Sequence, residues 1–71
     1  MKQVKLGTIG NGGVFHFIDD PESRTFRVIA NRKDNIVFYN AISRPDDDFE
    51  LTLANSHPDW LTQDVDVFIE D

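Results

Sequence analysis

The strongest constraint on the fold is a pair of alternating β-rich runs, residues 25–30 and 36–41, separated by Asn31-Arg32-Lys33-Asp34-Asn35. In the first run Phe26, Val28 and Ala30 share one face, with Arg27 and Ile29 on the other. In the second, Ile36, Phe38 and Asn40 oppose Val37, Tyr39 and Ala41. Side chains of a strand alternate between two faces, so this pattern around a five-residue polar break predicts a β-hairpin.

The flanking segments extend the pattern. Residues 1–6 alternate and read as a short first strand or an ordered arm. All four glycines fall within residues 7–13, which marks a loop, and Val14-Phe15-His16-Phe17-Ile18 predicts a strand after it. Asp19, Asp20 and Pro21 give a corner, so the strand at 14–18 and the hairpin make a meander. In residues 49–54, Phe49, Leu51 and Leu53 alternate with Glu50 and Thr52, which predicts a further strand with the apolar side chains inward. Ser56 with Asp59 three residues on, and Pro58 between them, predicts one helical turn near residues 58–61. Trp60 and Leu61 would then close one end of the molecule. Residues 64–71 read as the last strand, with Val65, Val67 and Ile69 on one side. The expected core rings are Phe15, Phe17, Phe26, Phe38 and Phe49, leaving Tyr39 and Phe68 toward solvent. The fold class that follows is all-β: one domain over residues 1–71, a small five- to six-stranded SH3-like or OB-like barrel with a single helical turn.

A chain of 71 residues buries a small core, about 60% of the surface its unfolded form exposes. It has no cysteine, so neither a disulfide nor a thiolate zinc site supports it. No apolar run is long enough for a membrane helix, and no charged start followed by an apolar segment reads as a signal peptide. The expectation is an intracellular, cytoplasmic protein.

Charge is the feature with functional content. Residues 1–45 hold seven basic and four acidic residues, a net +3. Residues 46–71 hold nine acidic residues and no Lys or Arg, a net −9. An uncompensated acidic half steers association toward basic surfaces and can occupy sites built for phosphates. The candidate partner-binding residues are therefore Asp46, Asp47, Asp48, Glu50, Asp64 and Asp66, facing a protein partner with a basic surface. The alternative interface is the hairpin, where Arg27, Arg32, Lys33 and Tyr39 combine charge and a ring for single-stranded nucleic acid. Self-association through an edge strand is a third option for a chain with so small a core.

Catalytic and metal motifs are absent from the sequence. Gly7, Gly10, Gly12 and Gly13 lack P-loop spacing, and no Gly-Lys-Ser/Thr follows them. Asp46-Asp47-Asp48 lacks the register of an EF-hand loop. His16 and His57 have no paired-histidine spacing; His16 reads as a half-exposed strand residue, and Asp59 as a helix cap rather than an acid–base partner of His57. No catalytic residue, metal or cofactor is assigned, and the expected class is a non-enzymatic interaction module.

The aromatic strand at 15–17, the Thr25-Phe26-Arg27-Val28-Ile29 strand and the hairpin into Ile36-Val37-Phe38-Tyr39-Asn40-Ala41 resemble the SH3-like small barrels encoded by phages and mobile elements. That resemblance covers about half the chain. It implies a barrel, and a phage or mobile-element inhibitor or adaptor acting on a nucleic-acid-handling protein would fit the acidic half of the chain. Residues 14–18 and 36–40 also look like the two aromatic motifs of a cold-shock OB domain. That family's Trp-containing first strand has no counterpart here, and residues 25–30 insert a strand between the two motifs.

Overall fold

The computed structural model describes residues 1–42, 48–55 and 57–70. They form β1 (Lys2–Lys5), a 3-10 turn (Leu6–Thr8), β2 (Val14–Phe17), β3 (Phe26–Asn31), β4 (Ile36–Ala41), α1 (Phe49–Asn55), β5 (Asp59–Thr62) and β6 (Asp66–Ile69). The strands hydrogen-bond in the order β1-β6-β2-β3-β4-β5, with every neighbouring pair antiparallel. The expected meander of β2, β3 and β4 is present, and it continues into β5.

The sheet curls. β5 and β6 stand four places apart in the strand order. A flat sheet would separate them by about 19 Å at ~4.8 Å per strand. Only Gln63, Asp64 and Val65 connect them, a link that reaches at most about 14 Å. The curl stops short of a closed barrel, since no ladder joins β1 to β5 among the described residues. Past the end of β1, the Leu6 amide donates to the Val65 carbonyl at 2.8 Å and the Gly7 amide to Gln63 at 2.9 Å.

Inside the curl lies one core of Leu6, Phe15, Phe26, Val28, Val37 and Val67. Phe15, Phe17, Phe26 and Tyr39 form a four-ring cluster in which every pair of centroids lies 4.7–5.9 Å apart, mostly edge to face. Such pairs contribute about 0.5–1.5 kcal/mol each beyond burial. Tyr39 is thus half-buried with its ring packed against the core, rather than turned to solvent. β4 is inverted relative to the expectation: Val37 and Tyr39 face in, while Phe38 is half-buried outside the core cluster. Apolar residues on both faces of β4 made the alternation ambiguous, and register decided.

The register turns on a β-bulge. Val28 pairs with Tyr39 and Ala30 with Phe38, so Ile29 is the extra residue on β3. The bulge reverses the faces beyond it and places Asn31 opposite the fully buried Val37. The Asn31 side-chain amide donates to the carbonyls of Gly7 (2.8 Å) and Ile9 (3.0 Å). Its Oδ1 accepts from Gln63 Nε2 (2.6 Å), and its backbone amide donates to Asn11 Oδ1 (2.9 Å). Gln63 also donates to the Arg32 carbonyl (2.7 Å). Gly7 is required here, because a Cβ on it would lie 2.6 Å from Gln63 Cβ.

Two elements differ from the sequence expectation. The predicted strand at 49–54 is helix α1, begun by the Asp48 carboxylate, which accepts from the Glu50 amide (2.9 Å) and the Leu51 amide (3.4 Å). Capping of the free amides, with Leu and Ala as helix formers, outweighed a period-two pattern of only six residues. Leu51, expected inward, is exposed. Conversely, the predicted helical turn near residues 58–61 is strand β5, so Asp59 does not cap a helix. Pro58 is tolerated because it precedes the first strand residue. Leu61 packs on the core, whereas Trp60 points out and is 59% exposed.

Replacing Asn31 by Ala should cost roughly 1–3 kcal/mol, because it strands two carbonyls and the Gln63 amide. Urea denaturation checks this against Lys33→Ala at the exposed hairpin tip, expected within about 0.5 kcal/mol of the parent. Equal effects of the two substitutions would contradict the role of Asn31.

Candidate interaction surface

The acidic residues fall into two groups with different structural duties. Asp46 and Asp47 lie outside the described residues. Asp48 caps α1, and Glu50 stands exposed in the first turn of that helix. Phe49, the first residue of α1, lies beside β3, with the Arg27 guanidinium 5.9 Å from the centre of its ring. Asp64 and Asp66 belong to the other end of the chain, around the turn between β5 and β6. Asp64 lies before β6 rather than on it, and its carboxylate accepts from the Thr62 hydroxyl. That hydroxyl, more than any other contact, holds the Asp64 carboxyl below the usual carboxylate range. Asp66 pairs with Lys5 at 2.8 Å, directly across the β1–β6 ladder. Hydrogen bonding and charge from Asp66 raise the Lys5 ammonium above its ordinary value.

A residue outside the sequence-derived set changes the picture. Asp59 opens β5 and is exposed, and Trp60 follows it. Among the described residues Glu50, Asp59 and Asp64 form no ion pair with Lys or Arg, while Asp20, Glu22, Asp34 and Asp66 do. Asp59 and Asp64 bracket β5, so a large exposed ring stands between two unpaired carboxylates. The sequence held a signal for this: Asp59-Trp60-Leu61-Thr62 is a short β-rich run directly after a proline.

The hairpin residues separate in the same way. Arg27 is 4% exposed, on the face of β3 opposite the core and beside Phe49. Tyr39 is inside the ring cluster; burial, then the Asp59 charge, push its phenol up. Arg27 therefore does not flank an exposed Tyr39, as the alternation suggested. Arg32 and Lys33 remain exposed at the hairpin tip, Arg32 with Asp34 at 3.6 Å.

His16 is buried rather than half-exposed. Nδ1–H donates to the Arg24 carbonyl at 3.1 Å, and Nε2 meets the Glu70 carboxylate at 3.0 Å, so the ring ties β2 to its following loop and to the end of β6. That loop is stitched by Asp20. Its carboxylate accepts from the amides of Glu22 (3.0 Å) and Arg24 (3.2 Å) and from Arg24 Nε (3.0 Å). A cleft beside the loop is walled by Phe17, Ile18, Pro21 and Val65; on its polar rim Asp20 and Arg24 pair with each other and Asp66 with Lys5, while Asp19 is exposed. Among the described residues no group of His, Asp and Glu converges to hold a metal ion, and no helix is long and apolar enough to cross a membrane.

Comparison with protein-family models, curated proteins and solved structures gives no match to this chain.

The Asp20 contacts carry a pH signature. The Glu22 amide first, then Arg24, lower the Asp20 carboxyl below its ordinary value. A depressed folded-state value contributes stability that is present above the unfolded value of about 3.9 and is lost as pH falls through the folded one. Thermal melting should show a smaller acid-side loss for Asp20→Asn than for the parent, together with lower stability at neutral pH. Superimposable melting-versus-pH curves would contradict the assignment.

Proposed function

We propose that the protein is a non-enzymatic interaction module that docks its acidic C-terminal half on the basic surface of a nucleic-acid-handling partner protein, as an inhibitor or adaptor. The observation that carries the proposal is the exposed Trp60 between the unpaired carboxylates of Asp59 and Asp64. Interface anchors are enriched in Trp, and rim charges of one sign set the encounter with an oppositely charged partner. The charge asymmetry supports the same reading, since residues 46–71 contain no Lys or Arg to neutralise nine carboxylates. Asp48 and Glu50, at the start of α1, add exposed negative charge, and Asp46 and Asp47 belong to the same acidic run of the sequence. Asp66 contributes less, because Lys5 already offsets it.

The test is a combined Glu50→Gln, Asp59→Asn and Asp64→Asn variant. None of the three side chains is paired with a cation among the described residues, so the fold should persist, as circular dichroism would show. Affinity capture from lysate at low and high salt, quantified by mass spectrometry, should recover basic nucleic-acid-handling proteins with the parent chain. Recovery should fall at least about tenfold with the variant, in line with the loss of charge steering. An unchanged set of captured proteins, with unchanged salt sensitivity, would overturn the proposal.

A further inference from the structure

We infer that the free edge of β5 takes up an extended, Lys- or Arg-bearing segment of the partner as an added strand. This rests on the acidic docking proposed above and specifies how it is achieved.

β5 pairs only with β4, through Asp59–Tyr39, Trp60–Phe38, Leu61–Val37 and Thr62–Ile36. Its other side presents backbone N–H and C=O groups with no ladder partner among the described residues. Native sheets guard such edges with lysines, prolines or bulges. The opposite edge, β1, is guarded: exposed Lys2 and Lys5 stand at its two ends. β5 has neither a lysine nor a proline within it, and its ladder to β4 runs without a register shift. Among the described residues it therefore remains open to main-chain pairing, as in recognition by strand addition.

Charge selects the occupant. Asp59 at the start of β5 and Asp64 just past its end place unpaired negative charge at both ends of the open edge. A basic strand laid along it gains cross-strand attraction, whereas an acidic strand would be repelled. A second copy of this chain is the poorer fit, because pairing two β5 edges brings together two molecules of net charge −6 with their carboxylates at one seam. Trp60 supplies the apolar contact. Its ring projects from the face opposite the core, next to half-buried Phe38, where alternate side chains of an added strand would cover it.

The experiment titrates the isotope-labelled full chain with a peptide of alternating Lys and Val. An alternating Glu–Val peptide and a Lys–Val peptide interrupted by Pro serve as controls. The expected result is selective shift of the β5 amides, with at least roughly tenfold slower hydrogen exchange at residues 59–62. Binding should weaken about tenfold or more with Trp60→Ala, and only the uninterrupted basic peptide should bind. Basic-peptide binding that perturbs residues around Glu50, Asp59 and Asp64 without protecting β5 amides would overturn strand addition while leaving acidic docking intact. Binding of neither basic peptide at low salt would overturn both. Sedimentation showing that the chain alone self-associates, with the same β5 amides protected, would overturn the choice of a basic partner.

Discussion

The structure depends on the inward turn of Asn31. Its side chain bonds three backbone or side-chain groups that are remote in sequence, at Gly7, Ile9 and Gln63. Gly7 and Ile9 belong to the segment leaving β1 and Gln63 to the turn entering β6, so Asn31 ties both to the end of β3. Holding them together holds the curl of the sheet, because the short link between β5 and β6 spans the gap only when the sheet bends back on itself. Asn31 can face inward only because Ile29 is an extra residue on β3. A half-buried amide with each of its polar groups matched stabilises one arrangement over its neighbours, since any slip leaves carbonyls unpaired in the interior.

The same bulge decides what is left for function. It keeps Val37 and Tyr39 in register with the core and sends Phe38 and Trp60 to the outside. The four-ring cluster then fills the interior with Phe15, Phe17, Phe26 and Tyr39. Carboxylates that stabilise the fold, Asp20 in its loop and Asp48 on α1, are held by backbone amides. Those with no such duty, Asp59 and Glu50, stand exposed. Like charges thus divide between those that hold the fold and those left exposed to solvent.

Much of this was legible in the sequence. Four of the six strands, β2, β3, β4 and β6, follow directly from alternation and from the Asp19-Asp20-Pro21 and Asn31–Asn35 breaks, β1 is one of two readings of residues 1–6, and the acidic half is plain from composition. What was not legible depended on long-range contacts. The face choice of β4 hinged on a bulge that has no signature in residues 26–31. Residues 49–54 fit either period, and the Asp48 cap settled them as helix. Residues 58–61 carry helix-start chemistry that the pairing of β5 with β4 overrides. The closed barrel implied by the SH3-like resemblance gives way to a curled, open sheet with one guarded and one unguarded edge. Exchanging the roles of the two segments moved Trp60 from an end cap to the surface, which is why the alternation did not single out Asp59 and Trp60 as exposed neighbours.

The central claim is that the Ile29 bulge sets the register on which core, curl and exposed edge all rest. Cross-strand nuclear Overhauser contacts and through-hydrogen-bond couplings between β3 and β4 test it most directly. Val28 should lie opposite Tyr39, Ala30 opposite Phe38 and Ile29 without a cross-strand partner, with the Asn31 side-chain amide close to Gly7 and Ile9. An uninterrupted ladder that pairs Ile29 with Phe38 would place Asn31 on the outer face and contradict it.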